Sequence, residues 1–140
     1  MSIKNLILYA KTLDVQKQDL PGKEHHIGSL VTRVGDVYFD LADPVVGTFY
    51  TKATVIYLDK KNDYDVREFS SEILLPEGEI ILLDFTKVQH GKIVDKSHTH
   101  HEHEGIVVGG TGIYSGVRGS YTLDQIDSEN CAKLTFSLQM

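Results

Sequence analysis

Apolar and polar residues along this chain follow the two-residue period of strands far more than any helical period, and turn-forming pairs interrupt them at short intervals. Asn5 to Leu13 is apolar enough for a strand or a helical turn. Asp14 to His26, polar and interrupted by Pro21-Gly22, reads as a loop. Ile27 to Val34 and Val37 to Leu41 flank the turn pair Gly35-Asp36. Asp43-Pro44 precedes Gly47 to Leu58, a run rich in Thr, Val, Ile, Tyr and Phe. Lys60-Lys61-Asn62-Asp63 has the polarity of a hairpin tip, Tyr64 to Leu75 follows, and Pro76-Glu77-Gly78 turns the chain into Glu79 to Val88. His90-Gly91 opens the polar stretch Lys92 to Glu104. Ile106 to Val108, Val117 to Ile126 and Ala132 to Leu138 complete the set. Seven to nine short strands predict one all-β domain over 1–140, either a sandwich or a barrel.

Between two of these strands lies Gly109-Gly110-Thr111-Gly112-Ile113-Tyr114-Ser115-Gly116-Val117-Arg118-Gly119, with five glycines in eleven residues. Such density marks backbone that turns sharply or passes close to other backbone. A phosphate cradle is excluded, because no Lys-Ser/Thr follows the glycines and no helical pattern opens after them. The segment predicts a strand end, a tight turn carrying Ile113 and Tyr114, and a new strand.

Composition narrows the function classes. At 140 residues the chain has room for one core, and its net charge of −6 without a basic block disfavours nucleic acid and anionic membranes. The single cysteine, Cys131, cannot form an internal disulfide, and no stretch reaches membrane-spanning length. With no signal-peptide pattern at the N-terminus, the expected location is the cytoplasm.

Gly109-Gly110-Thr111-Gly112, then Tyr114 and Val117-Arg118-Gly119, resembles the signature of plant dirigent proteins, and Gly112 to Val117 is similar to the version in allene oxide cyclases. Asp43-Pro44-Val45-Val46-Gly47-Thr48, leading into an aromatic-rich strand, resembles an early motif of the same family. The resemblance covers roughly three quarters of the chain, from about Gly35 onward. It implies an eight-stranded antiparallel up-and-down β-barrel, lipocalin-like in shape, forming homo-oligomers (dimer or trimer) and holding an apolar small molecule of secondary metabolism. Tyr114 would plug one end. Of the dirigent pocket residues, the arginine carries over onto Arg118. Ile113 stands where many family members have an acidic residue, and the acidic and cysteine residues of the cyclase pocket match no position here.

Several residues are candidates for chemistry. Arg118 lies in an apolar strand, either pointing to solvent or holding a substrate oxygen in the lumen. Strand alternation gives Tyr121 the opposite face unless a bulge intervenes at Gly119. Tyr38, Tyr50 and Tyr57 are strand tyrosines able to line a pocket or pack in a core. Asp40 and Glu72 are carboxylates near apolar runs, and burial of either would suit it to proton transfer. We assign catalysis to Arg118, Tyr50, Glu72 and Asp40, and substrate binding to Tyr38, Tyr57, Tyr114 and Tyr121.

The cluster Ser97 to Glu104 carries imidazole and carboxylate at metal-site density. His98, His100 and Glu104 resemble the first metal motif of cupins, although no histidine follows His103 to supply the fourth ligand. The other reading is a solvated, pH-sensitive rim. Three functions follow from these residues. The first is a cofactor-free cyclase or isomerase acting on a fatty-acid- or polyketide-derived substrate. The second is a dirigent-type binding protein that orients reactive intermediates, and the third a cupin-like enzyme with a divalent metal at the histidines.

Overall fold

The structure is a computed structural model that describes residues 2–19, 27–89, 92–93, 103–126 and 130–140. Its strands are β1 (Ile3–Gln18), β2 (Leu30–Tyr38), β3 (Gly47–Asp59), β4 (Tyr64–Leu75), β5 (Gly78–Gln89), β6 (Lys92–Ile93), β7 (His103–Gly110), β8 (Arg118–Gln125) and β9 (Cys131–Gln139). One antiparallel sheet runs β4-β3-β2-β1-β9-β8-β7-β5, and β4 pairs back onto β5. That last pairing closes an eight-stranded barrel, with β6 a two-residue addition beside the end of β5. Closure decides between the two architectures open from the sequence, and it removes the edge strands that a sandwich would have to protect. No helix among the described residues is long and apolar enough to cross a membrane.

Alternation sorts each strand into an inner and an outer row. Leu8 and Ala10 on β1, Val37 on β2, Phe49 on β3, Ile73 on β4, Ile80 and Leu82 on β5, Val107 on β7, and Leu134, Phe136 and Leu138 on β9 face inward and are buried. They fill one end of the barrel. The glycine segment closes that end. After β7 the chain makes one 3-10 turn, Gly112–Tyr114, and tucks Tyr114 and Val117 under the apolar layer. The turn is tied to the β4–β5 hairpin: Glu79 N donates to Thr111 Oγ1 (3.0 Å) and Ile113 N to the Glu77 carbonyl (3.1 Å). The result is a cup with a packed floor. Phe136, 1% exposed, is its largest fully buried side chain. Phe136→Ala should cost about 3–5 kcal/mol, read as a lowered urea midpoint with an unchanged slope; an unshifted midpoint would mean the floor is not part of the cooperative core.

Several boundaries differ from the sequence reading (β2 ends at Tyr38 rather than Leu41, and β7 starts at His103 rather than Ile106), two of them for identifiable reasons. Gly35-Asp36 is not a turn: β2 runs through it as one strand. Gly35 faces inward where β1 and β3 crowd it, and a Cβ there would overlap the Lys11 carbonyl and lie 2.6 Å from Phe49 Cε1. The glycine serves close approach rather than reversal. Asp14 to Gln18, read as loop, continues β1 after a register shift between Thr12 and Asp14 and pairs with Leu30 to Val34. Every residue there is exposed, so no hydrophobic alternation marks it as strand.

Candidate functional site

Above the floor the barrel is hollow. A cavity of about 450 Å³ is lined by inward residues of all eight staves, apolar below and mixed toward the mouth, where Val31, Ala53, Val88 and Ala132 stand among the polar groups. Its polar wall is built by β5, β7 and β8. On β5 the inward row is Ile80, Leu82, Asp84, Thr86 and Val88, all buried, so Asp84 sits in a core row two residues above Leu82. Tyr121 on β8 donates its phenol hydrogen to Asp84 Oδ2 at 2.9 Å. The two strands are separated by β7, where Gly105 lies opposite Tyr121. A Cβ on Gly105 would stand 2.6 Å from the Tyr121 ring and 2.7 Å from Asp84 Cβ, so the missing side chain is what lets the phenol cross β7. His103, two residues along β7, completes the group: its Nδ1 lies 3.4 Å from Asp84 Oδ2 and 3.2 Å from Thr86 Oγ1. Phe69 packs edge-on against the imidazole at 4.7 Å.

One atom in this wall is unmatched. Asp84 Oδ1 is buried and has no hydrogen-bond partner among the described residues. A buried acceptor without a donor costs about 1–3 kcal/mol, more when charged, and native proteins keep few of them. The Tyr121 phenol is pushed well above its usual range by burial first, then by the Asp84 charge and their hydrogen bond. It therefore stays a donor. A phenol with a raised folded pKa contributes stability that is whole below its unfolded pKa, about 10, and is lost as pH rises toward the folded value. Tyr114 shifts the same way, through burial and then the nearby Glu77. Tyr121→Phe should accordingly flatten, without abolishing, the loss of stability above about pH 10. Urea unfolding at stepped alkaline pH measures this; an unchanged slope would show that Tyr121 is not the group held protonated.

At the mouth stand Arg67, bound to Asp65 through Nε (2.8 Å) and Nη2 (3.2 Å), and Arg33. Between them on the wall, Thr51 and Ser71 share a hydroxyl hydrogen bond of 3.1 Å.

Of the described residues chosen from the sequence, Tyr121 alone lines the cavity. Tyr114 is buried in the floor. Arg118 is exposed, its Nη1 donating to the Val117 carbonyl at 2.8 Å, because the inward row of β8 is Gly119, Tyr121 and Leu123. Tyr50 and Glu72 are brought together, as register partners, but on the outer wall, where they border a groove of about 420 Å³. Tyr38 is half-buried on the outer wall opposite Tyr9. Tyr57 follows a bulge in β3 and packs on Tyr64 at 6.0 Å, outside the lumen. Asp40 is exposed after β2, its Oδ1 accepting from Ala42 N in a turn. Asp84, His103, Arg33 and Arg67 were missed. Parity along β5 puts Asp84 on a face with Ile80 and Leu82, but the other face, with Ile81, Leu83 and Phe85, is as apolar, so the sequence does not say which is inside. Parity along β7 separates His103 from Glu104, which is exposed on the outer face.

No family model matches the chain, and no curated protein matches it in sequence. Solved structures do. Pyocyanin demethylase superposes with a TM-score of 0.73 at 19% identity, over 97% of this chain and 100% of that one. A nonspecific heme-binding cyclase that catalyses cycloaddition during neoabyssomicin biosynthesis gives 0.68 at 12%, over 99% of this chain and 64% of that one. The pterocarpan synthase dirigent protein gives 0.61 at 12%, over 98% and 83%. The chain has the dirigent and cyclase barrel fold. That is the fold implied by the glycine motif, and at these identities the likeness reaches no further than fold.

The cofactor expectation needs correction. The expectation was no cofactor, with a divalent metal at the histidines as the alternative; a neighbour of the same fold is a heme-binding cyclase, so the fold does not carry that expectation. The divalent-metal alternative also fails to find support: His98 and His100 lie outside the described residues, Glu104 points away from the lumen, and no cluster of three potential ligands occurs among the described residues.

Proposed function

We propose that this barrel takes a small, largely apolar molecule into its lumen and isomerises or cyclises it by moving a proton at Asp84. The observation that carries this reading is the unmatched Oδ1 of a buried carboxylate on the wall of a hollow. Oδ1 would meet a ligand when the carboxylate turns about the Oδ2 that Tyr121 holds. Asp84 would accept a proton from carbon or oxygen next to a carbonyl, the electron pair moving into the carbonyl to give an enolate. In the tautomer whose Nδ1 accepts from Thr86 Oγ1, His103 carries its hydrogen on Nε2 and would donate it to the enolate oxygen, and return of the proton at another atom completes an isomerisation with no net oxidation. Tyr121, through its hydrogen bond to Oδ2, fixes the carboxylate and leaves Oδ1 as the reacting oxygen. The apolar lower wall, Phe49, Ile73, Leu82 and Leu134, would hold a flexible substrate in one reactive shape. The neighbouring cyclase and demethylase support an enzymatic use of such a lumen, and pyocyanin is a sensible first probe.

The dirigent neighbour supports a second reading, in which the lumen orients an intermediate and makes no bond. One experiment separates the two. Small molecules extracted from the purified protein are identified by mass spectrometry and returned to it alone. Conversion by the wild type and not by Asp84→Asn is the expected result; binding without conversion would overturn the proton-transfer reading in favour of orientation.

A further inference from the structure

The lumen contains two arginines in unequal circumstances. Arg67 is neutralised by a two-point contact to Asp65. Arg33 has no hydrogen bond or ion pair to any described residue, although it lines the same cavity. Its place on β2 is inward by parity, in the row of Gly35 and Val37. Its register partners around the wall are Thr51 and then Ser71, hydroxyls already bonded to each other rather than carboxylates that would quench it. Arg33 is exposed and also borders the outer groove, together with Asp14 and Glu72, yet it is paired with neither carboxylate. An arginine fork with nothing to grip, above a hydroxyl shelf, is suited to an incoming oxyanion.

Topology sets what stands opposite. From β2 to β7 there are four strand steps in either direction around the closed sheet, through β3, β4 and β5 or through β1, β9 and β8. The two strands are diametric. Arg33 at the mouth therefore faces, across the hollow, the wall carrying His103, Asp84 and Tyr121. A molecule spanning the lumen meets a cation at one end and an acceptor at the other.

We infer that the substrate is an organic anion: a largely apolar body with one oxyanion, held by Arg33 at the mouth, and the reacting hydrogen at the far end against Asp84. This rests on the lumen being the site, and it adds the substrate class. Arg33 is a binding and orienting residue with no part in bond making.

Paired fluorescent probes test it. Anilinonaphthalene sulfonate carries an apolar body, an N–H and an oxyanion, and N-phenylnaphthylamine is the same body without the charge. Both are titrated into the wild type, Arg33→Met, Arg33→Lys, and two lumen plugs on different walls, Ser71→Phe and Ala132→Phe. The expected result is that Arg33→Met weakens the sulfonate about tenfold, leaves the neutral probe unchanged, and is partly rescued by lysine, while the plugs abolish both probes. If Arg33→Met leaves the ratio of the two affinities unchanged while the plugs block both, the anion inference fails and the lumenal site stands. Should both plugs leave the neutral probe bound as before, the lumenal site itself fails, and this inference with it.

Discussion

Asp84→Asn is expected to abolish conversion of the lumenal ligand, a loss of roughly a thousandfold or more, while changing its affinity only a few-fold. Asparagine keeps the shape and can still accept from Tyr121 through its carbonyl, so the hydrogen bond between β5 and β8 survives. What it loses is the ability to take a proton. Stability should hold or rise, because the substitution removes a charge from a site where one oxygen has no partner. The diagnostic is therefore a split: turnover falls, binding and urea midpoint do not. A variant with normal turnover would remove Asp84 from the chemistry, and a variant that unfolds would make it a structural group.

The largest expected loss of stability lies at the glycine turn. Gly112 has φ +61°, and a Cβ there would overlap the Glu77 carbonyl, the acceptor that ties the turn to the β4–β5 hairpin. Gly112→Val combines left-handed backbone, costing about 1–2 kcal/mol for a side-chain-bearing residue, with a clash that neither backbone can avoid. A total of about 3–5 kcal/mol is expected, a large part of what a domain this size has. Gly116 provides the control: its φ is +77°, yet nothing lies within 4 Å of a Cβ. Gly116→Ala should therefore cost only about 1 kcal/mol, the conformational part. Equal midpoints for the two variants in urea unfolding would contradict the role given to the turn as a lock on the floor.

The glycine turn was legible because its signal is local: glycines are forced by positive φ at Gly112 and Gly116 and by close backbone at Gly110 and Gly119, though not at Gly109. The strands were legible by alternation, and the closed barrel through the motif resemblance. The site was not, and the reason is physical. In a solid core, inward means apolar, so Arg33, Asp65, Arg67 and Asp84 look like outward residues; here the upper lumen is hollow, and inward residues are charged. On β5 the outer row also contains Ile81, Leu83 and Phe85, which hides the parity that places Asp84 inside. Glu72 and Asp40 were favoured for lying near apolar residues, yet one faces outward beside Tyr50 and the other caps a turn. The Asp84–Tyr121 bond joins residues 37 apart across an intervening glycine, and no local pattern encodes that.

A crystal structure of the protein with the molecule recovered from it would probe the lumenal site most directly. Electron density inside the barrel, with a donor or acidic hydrogen of the ligand within hydrogen-bonding reach of Asp84, is the result expected. Density in the outer groove beside Tyr50 and Glu72, with the lumen holding only water, would contradict it.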